Sequence, residues 1–470
     1  MKKSLIKVGI VSALLMTIPA ITSCFGGGSN DKKTDPKVLN VVLYNAGWGD
    51  QWLKDTITKW EAKNEGYKVN LTSNYNVKEL INKHMASKKN PDDLYINVDN
   101  NWKNFAAQGK YAPLDDLMDE VVDGLTVENK VEDEWKSTLK FQDGHVYRLP
   151  WTTGMGGIYY NKAMFDANGW KVPTTTSELL TLVQTIKDAE IAVPDDDMKA
   201  VKPFTFSGTN TDYFDYAVFE WMMQLSGEED MRKFFNYESV DLFNPDVEGT
   251  PYNNLKKAVG VWHQIFSDPT NFTEGSASNS NHDSQKELYR SEAAMSFNGN
   301  WIYNETLEYG PEREDFKLAM MKCPVIDGAK QENIGYAIGS GQYIAVPASS
   351  TKQDLAKSFI KEMISNENLT NFTNKSHGFL AFKNTDKSNI DLSNEYVKSY
   401  LEVSDATPIK ISELSMNKIY LDGIIKTPWI SHGNRPFENL LADPSRTVDD
   451  AFKTLYLGAK AAFNEFENSK

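Results

Sequence analysis

Cysteine is almost missing from this chain of 470 residues, in which Cys24 and Cys323 are the only two. A long chain with so few thiols draws its stability from buried cores rather than from covalent staples. Basic charge is also in deficit, with 50 Lys and Arg against 65 Asp and Glu and a formal net charge of −15. That balance excludes nucleic acid as a partner, because phosphate binding needs a basic footprint. Apart from Val8 to Ile21 there is no long apolar run, and that stretch is too short to span a bilayer as a helix. Phosphate and dinucleotide loops, His-Glu-x-x-His, Cys-x-x-Cys and the Gly-x-Ser-x-Gly elbow do not occur. The six histidines, at 84, 145, 263, 282, 377 and 432, have no metal-ligand spacing, so no metal and no cofactor is implied. His84 falls on the apolar side of a helical pattern, the place of a satisfied core edge rather than a ligand. Asp212 and Asp215 could form a carboxylate pair for glycoside hydrolysis, but such pairs recur by chance in an acidic chain.

What is present begins at the N-terminus. Lys2, Lys3 and Lys7 precede the apolar stretch, which ends in Ile21-Thr22-Ser23-Cys24. This is the layout of a secretory signal, and its end resembles a bacterial lipobox, whose cysteine becomes the lipidated first residue. The alternative is a plain signal cleaved nearby. Residues 1–23 therefore read as a lipoprotein signal peptide and 24–37, rich in Gly, Lys and Asp, as a flexible tether. With Cys24 lipidated no internal disulfide can form, and Cys323 reads as a small buried apolar residue.

Beyond the tether, strand and helix patterns alternate. Val38 to Tyr44, Tyr67 to Leu71 and Asp93 to Val98 read as strands. Gln51 to Asn64 and Val77 to Met85 repeat apolar residues at helical spacing. Similar strands follow at Gly157–Tyr160, Pro203–Phe206, Ala293–Phe297 and Gln342–Val346, with helices at Tyr213–Leu225 and Asn254–Phe266. Ser350 to Gln353 has the form of a capping box before another helix. Residues 188–202 and 275–281 read as surface loops. The alternation predicts an α/β chain with mostly parallel sheets.

Aromatic and amide groups gather just after these strands, where α/β sheets place ligands. Tyr44-Asn45-Ala46-Gly47-Trp48-Gly49-Asp50 follows the first strand, Asp99-Asn100-Asn101-Trp102 the third, and Asn298-Gly299-Asn300-Trp301 the strand at Met295. Such sets suit a sugar, whose C–H faces pack on indole or phenol rings while its hydroxyls bond to amides and carboxylates. The alternative is that each Trp fills a core.

Gly157-Ile158-Tyr159-Tyr160-Asn161-Lys162 through Phe165 and Gly169-Trp170, then Pro173-Thr174-Thr175 to Glu178-Leu179, carries a family pattern. So do Ala294-Met295 to Gly299-Asn300-Trp301, Gly339-Ser340-Gly341-Gln342 and Gly378-Phe379-Leu380-Ala381. On these residues the mature chain resembles the maltose-binding-protein-like solute-binding proteins of carbohydrate ABC transporters. The resemblance implies a two-lobed periplasmic-binding-protein-like α/β fold, each lobe a mostly parallel sheet flanked by helices, joined by hinge crossings. Lobe one would hold 38–150 and 340–380, and lobe two 151–339 and 381–470. A sugar, an oligosaccharide, would bind between them, with Trp301 stacking on it and Trp151 as a second platform near the first crossing. Asn45, Trp48, Asp50, Asp99, Asn100, Trp102, Tyr213, Asn300, Gly341, Gln342, Trp429 and Arg435 complete the candidate set. The resemblance also implies binding without turnover, a monomer, transfer to permease subunits, and a place on the outer face of the cell membrane through a lipid on Cys24. Two rival readings remain, a surface lipoprotein enzyme acting on glycans and a receptor for a non-sugar solute such as a polyamine.

Overall fold

The computed structural model describes residues 35–45, 47–87, 89–98, 102–194, 196–236, 238–338, 342–411, 441 and 447–468. The strands that carry the architecture are β1 (Val38–Tyr44), β2 (Lys68–Asn74), β3 (Leu94–Val98), β4 (Leu149–Pro150), β5 (Thr152–Met155), β6 (Gly157–Asn161), β7 (Lys202–Thr205), β8 (Ala293–Asn298), β9 (Leu318–Met321), β10 (Ile334–Ile338), β11 (Gln342–Ala345), β12 (Phe379–Leu380) and β13 (Ile409–Ile411). The helices that flank them include α1 (Gln51–Lys63), α2 (Val77–Ala86), α3 (Thr176–Ala189), α4 (Asp215–Ser226), α5 (Pro251–Phe266), α6 (Ile302–Leu307), α7 (Gln353–Met363), α8 (Asn366–Ser376) and α9 (Glu395–Ala406).

The first sheet has the order β2-β1-β3-β11-β4. Successive side chains on a strand point to opposite faces, so a strand buried on both sides feeds two cores. Leu39, Val41 and Leu43 of β1 meet Leu53 and Trp60 of α1 and Phe359 and Ile360 of α7 on one face. Val42, Tyr95 and Tyr343 meet Val77, Ile81 and Met85 of α2 on the other. The second sheet has the order β7-β8-β6-β9. Ile158 and Tyr160 face α4 and α5 through Trp221 and Trp262, while Tyr159 faces Tyr396 and Tyr400 of α9.

Directions within the sheets follow from how the chain crosses. β1 runs parallel to β2 and β3, and only β11 is reversed. In the second sheet β7, β8 and β9 share a direction and only β6 is reversed. Each reversed strand is the one that arrives from the other sheet. Residues 149–161 run out of the first sheet through β5 into β6, and β10 leads back into β11. The two runs pair antiparallel along their length, Tyr343 with Pro150 and Ala337 with Met155, and so form a ribbon between the lobes. β12 and β13 flank the ribbon on either side to complete a third sheet.

Several local expectations change. Residues 188–202 are not a plain loop, because Ala192–Val193 and Asp196–Ala200 pair as a short hairpin after α3. The helix expected at Tyr213 starts at Asp215, after a 3₁₀ turn at Thr211–Phe214. Ser350 makes no capping box. Its hydroxyl donates to Asp93 at 2.7 Å and accepts from the Lys352 amide at 3.0 Å, and Lys352 occupies the cap of α7 with no side-chain cap bond. Asp93 and Lys352 pair at 2.7 Å with side chains 4% and 6% exposed. Asp93 also takes the Asn40 amide at 2.8 Å, and Lys352 donates to the Val38 carbonyl, so the pair ties β1, β3 and α7 at the foot of the sheet. His84 pairs with Asp92 at 2.7 Å. Cys323 is buried, and burial pushes its thiol well above the ordinary range, which leaves it unreactive.

Glu220 of α4 is 1% exposed and accepts from the Tyr336 amide of β10 at 3.3 Å. Its Oε1 is buried without a hydrogen-bond partner among the described residues. Burial raises its pKa from 4.5 to about 8, against the weaker pull of the Tyr336 amide and Lys322. The folded protein therefore keeps a proton that the unfolded chain has lost over that window. Stability from this group is present in full below about pH 4.5 and is lost progressively up to pH 8, by about 3 kcal/mol at pH 7. Glu220→Gln is expected to flatten that decline and to gain on the parent as pH rises, read from urea midpoints between pH 5 and 8. Equal slopes for the two proteins would show that Glu220 is ionised in the fold.

Candidate ligand-binding site

The ends of the co-directional strands in both sheets lead to loops on either side of the ribbon. After β1 the chain turns sharply. The Gly49 amide donates to the Asn45 carbonyl at 3.1 Å, and Gly47 has a φ of +71°. That left-handed backbone suits glycine, and a side chain there would also meet Trp301, whose Cβ lies 3.5 Å from the position a Cβ would take. Asn45 is half-buried, and its Oδ1 is enclosed without a hydrogen-bond partner among the described residues. Such an acceptor costs free energy until something donates to it.

After β8 the chain passes through Asn300 and Trp301 into α6. Asn300 lies flat on the ribbon. Its Nδ2 donates to the Thr153 carbonyl at 3.0 Å, and a side chain at Gly154 would collide with it. Trp301 is half-buried and packs against the cores of both lobes at once. The Tyr216 ring meets it edge-on at 6.0 Å, and Tyr213 lies 6.5 Å away. The Trp301 indole also bonds to the Tyr213 phenol, which burial and then the charge of Glu305 push upward.

Two residues that sequence reasoning passed over, Tyr75 and Glu305, lie in the same region. Tyr75, after β2, is 55% exposed and meets Tyr44 edge-on at 6.2 Å. The Tyr44 phenol is raised by burial, by Tyr75 and by Glu305, so the end of β1 feels a carboxylate carried by the second lobe. Burial also raises Glu305, whose Oε2 accepts from Gln285 at 2.5 Å. Glu305 lies one helical turn after Trp301, a spacing that puts both on one face of α6 and was readable in principle.

The remaining candidates divide. Trp151 is 0% exposed, enclosed by Trp52 at 5.2 Å, Phe372 at 6.1 Å and Phe382 at 6.2 Å. Trp48 packs on Phe372 at 6.0 Å and fills the space that a side chain at Gly378 would need. Trp102 is buried on the other face of the first sheet, with the Arg148 guanidinium 3.8 Å from its ring centre. These three indoles fold back beneath their loops and offer no open face in this conformation. Gln342 is buried and donates to the Tyr44 carbonyl at 3.3 Å, so it braces the end of β1. Asp50 pairs with Lys54 at 2.8 Å along a groove with Ile57, Val69 and Leu71, between α1 and β2. Asp99, Asn100, Gly341, Trp429, Arg435 and Cys24 lie outside the described residues.

Residues 45–370 match the sequence profile of the bacterial extracellular solute-binding proteins. The chain belongs to that family. A relative named multiple sugar-binding protein, from Streptococcus mutans, is 22% identical over 365 residues, covering 76% of this chain and 78% of its own. The diacetylchitobiose binding protein DasA of Streptomyces coelicolor is 24% identical over 380 residues, covering 78% and 79%. Among solved structures, apo RafE from Streptococcus pneumoniae superimposes with a TM-score of 0.66 at 16% identity, covering 92% of this chain and 98% of that one. RafE in complex with raffinose gives 0.64 at 16% identity, covering 91% and 99%. These neighbours establish the two-lobed fold.

This solute-binding protein has a second hollow behind the ribbon. Neighbouring residues on β5 face opposite ways. Gly154 faces Asn300, whereas Thr153 lines a cavity of about 300 Å³ with Glu132, Glu134, Phe379, Tyr400 and Lys410. Burial lifts Glu132 up to about 7. Among the described residues no group of three or more His, Cys, Asp or Glu side chains could hold a metal ion, and no helix is long and apolar enough to cross a membrane. Because Trp151 is wholly enclosed, Trp151→Ala is expected to lose about 3–5 kcal/mol of stability in chemical denaturation. A change below about 1 kcal/mol would mean that the ring is not the core residue its surroundings indicate.

Proposed function

We propose that this chain is the extracellular substrate-binding protein of an ABC transporter and captures a sugar, an oligosaccharide, between its lobes without chemical turnover. The observation that carries the reading is Trp301, a half-buried indole on which both cores converge, against the Gly47 turn that also holds the unpartnered Asn45 oxygen and one helical turn before the Glu305 carboxylate. A flat apolar face beside hydrogen-bonding groups is the chemistry that a pyranose ring demands. The names of the relatives, which bind multiple sugars and diacetylchitobiose, point the same way. Asn300 and Tyr213 position the indole, and Gln342 positions the Tyr44–Asn45 segment.

The ribbon serves as the hinge between lobe one, 38–150 with 340–380, and lobe two, 151–339 with 381–470. Ligand that touches both lobes favours the closed form by its differential affinity, and permease subunits read that form. The mature monomer is held at the outer face of the membrane by lipid on Cys24, through the tether at 24–37. Asp99, Asn100, Trp429 and Arg435 complete the sugar contacts.

A thermal-shift screen over mono- and oligosaccharides, with product analysis and polyamines as controls, tests the reading. A sugar at a hundredfold excess over its Kd adds about 2.7 kcal/mol of stability and raises the melting temperature by several degrees. A melting shift with polyamines alone, or release of sugar products, would overturn it. Trp301→Ala is expected to keep its melting temperature within a few degrees and to weaken binding of the best sugar at least tenfold, about 1.4 kcal/mol, by calorimetry.

A further inference from the structure

The lobes are joined at the mouth of the site by a contact that contains no ligand group. Asn304 sits on α6, which grows from β8 of the second sheet. Its Nδ2 donates to the Gly47 carbonyl at 3.0 Å and also to the Ser376 carbonyl. Its Oδ1 lies 3.2 Å from His377 Nδ1, which donates to it in this pairing. Gly47 belongs to the turn after β1, and Ser376 and His377 end α8, whose Phe372 lies in the core of the first lobe. One side chain of the second lobe thus satisfies two main-chain carbonyls and a ring nitrogen of the first.

Each partner is fixed by its own surroundings. The final carbonyls of a helix have no intrahelical donor, so the Ser376 carbonyl is a standing acceptor. His377 takes a left-handed φ of 49° at the end of α8, and its ring packs on Tyr303 at 4.6 Å. Both amide protons and the oxygen of Asn304 are engaged, which leaves little for a sugar to use.

We propose that Asn304 is a latch, a positioning residue that holds the lobes together before ligand arrives and so sets the fraction of binding-competent receptor. The proposal rests on the receptor reading above and deepens it. Part of the affinity is then written into a protein–protein contact, and a ligand needs less differential affinity to complete closure. Trp301, one turn earlier on the same helix, supplies the ligand face, so α6 carries both grip and latch.

Small-angle X-ray scattering of the mature chain without sugar tests this on the parent, Asn304→Ala and Asn304→Asp. Alanine removes the donors, and aspartate places a carboxylate against two carbonyls. Both variants are expected to show a larger radius of gyration than the parent, aspartate the more so, with melting temperatures close to the parent's. For whichever of raffinose, diacetylchitobiose and fructooligosaccharide gives the largest melting shift, dissociation from Asn304→Ala is expected to be roughly tenfold faster, the scale of one or two lost hydrogen bonds. Scattering curves that superimpose on the parent's for both variants would overturn the latch. If none of the three sugars binds, the choice of ligand fails while the scattering comparison still decides the latch.

Discussion

A chain that passes from the carboxyl edge of one sheet to the carboxyl edge of another arrives against the direction of the strands already there. That constraint organises this protein. β6 enters the second sheet reversed, β11 re-enters the first sheet reversed, and the two runs pair as one antiparallel ribbon. The remaining strands of both sheets then end towards the ribbon, and the loops after them meet across it. The two runs are in register at two stations, Tyr343 opposite Pro150 and Ala337 opposite Met155, and beside the first the Trp151 amide donates to the Gln342 carbonyl at 2.9 Å.

Burial decides which groups in this region are available. The interior takes indoles readily, and Trp48, Trp102 and Trp151 are all drawn into cores. Trp301 differs because two cores compete for it and neither encloses it. Polar groups around it are partly desolvated, which raises Tyr44, Tyr213 and Glu305 alike. A site in this condition gains when hydroxyl groups of a neutral ligand bond to these groups, because a hydrogen bond is stronger where the local dielectric is low. The desolvated carboxyls that border the ribbon, Glu220 of α4 against β10 and Glu132 at the cavity behind it, carry a further cost that grows with pH.

Much of the frame was readable because it follows period and spacing. β1 and β3 alternate between two cores, and α1 and α2 show one apolar face each, so their identity needs no partner. The position of Trp301 after β8 was readable as well, since its motif sets where the chain turns. The way a ring leans at a strand end was not. Trp48 and Trp301 follow their strands in similar ways, yet one packs under Gly378 and the other lies at the junction of the lobes. That choice depends on what faces the ring across the fold. Asn304 was unreadable for the same reason, because its partners at Gly47 and Ser376 are 257 and 72 residues away in sequence. Residues 188–202 misled in the opposite sense, since polar composition does not forbid a short hairpin.

The most direct measurement is a crystal structure of the mature protein with the oligosaccharide that stabilises it most. Sugar density should lie against the Trp301 ring, within hydrogen-bond distance of Asn45 and between loops of both lobes. Density confined to the cavity behind the ribbon, or to the groove between α1 and β2, would contradict the assignment of the site.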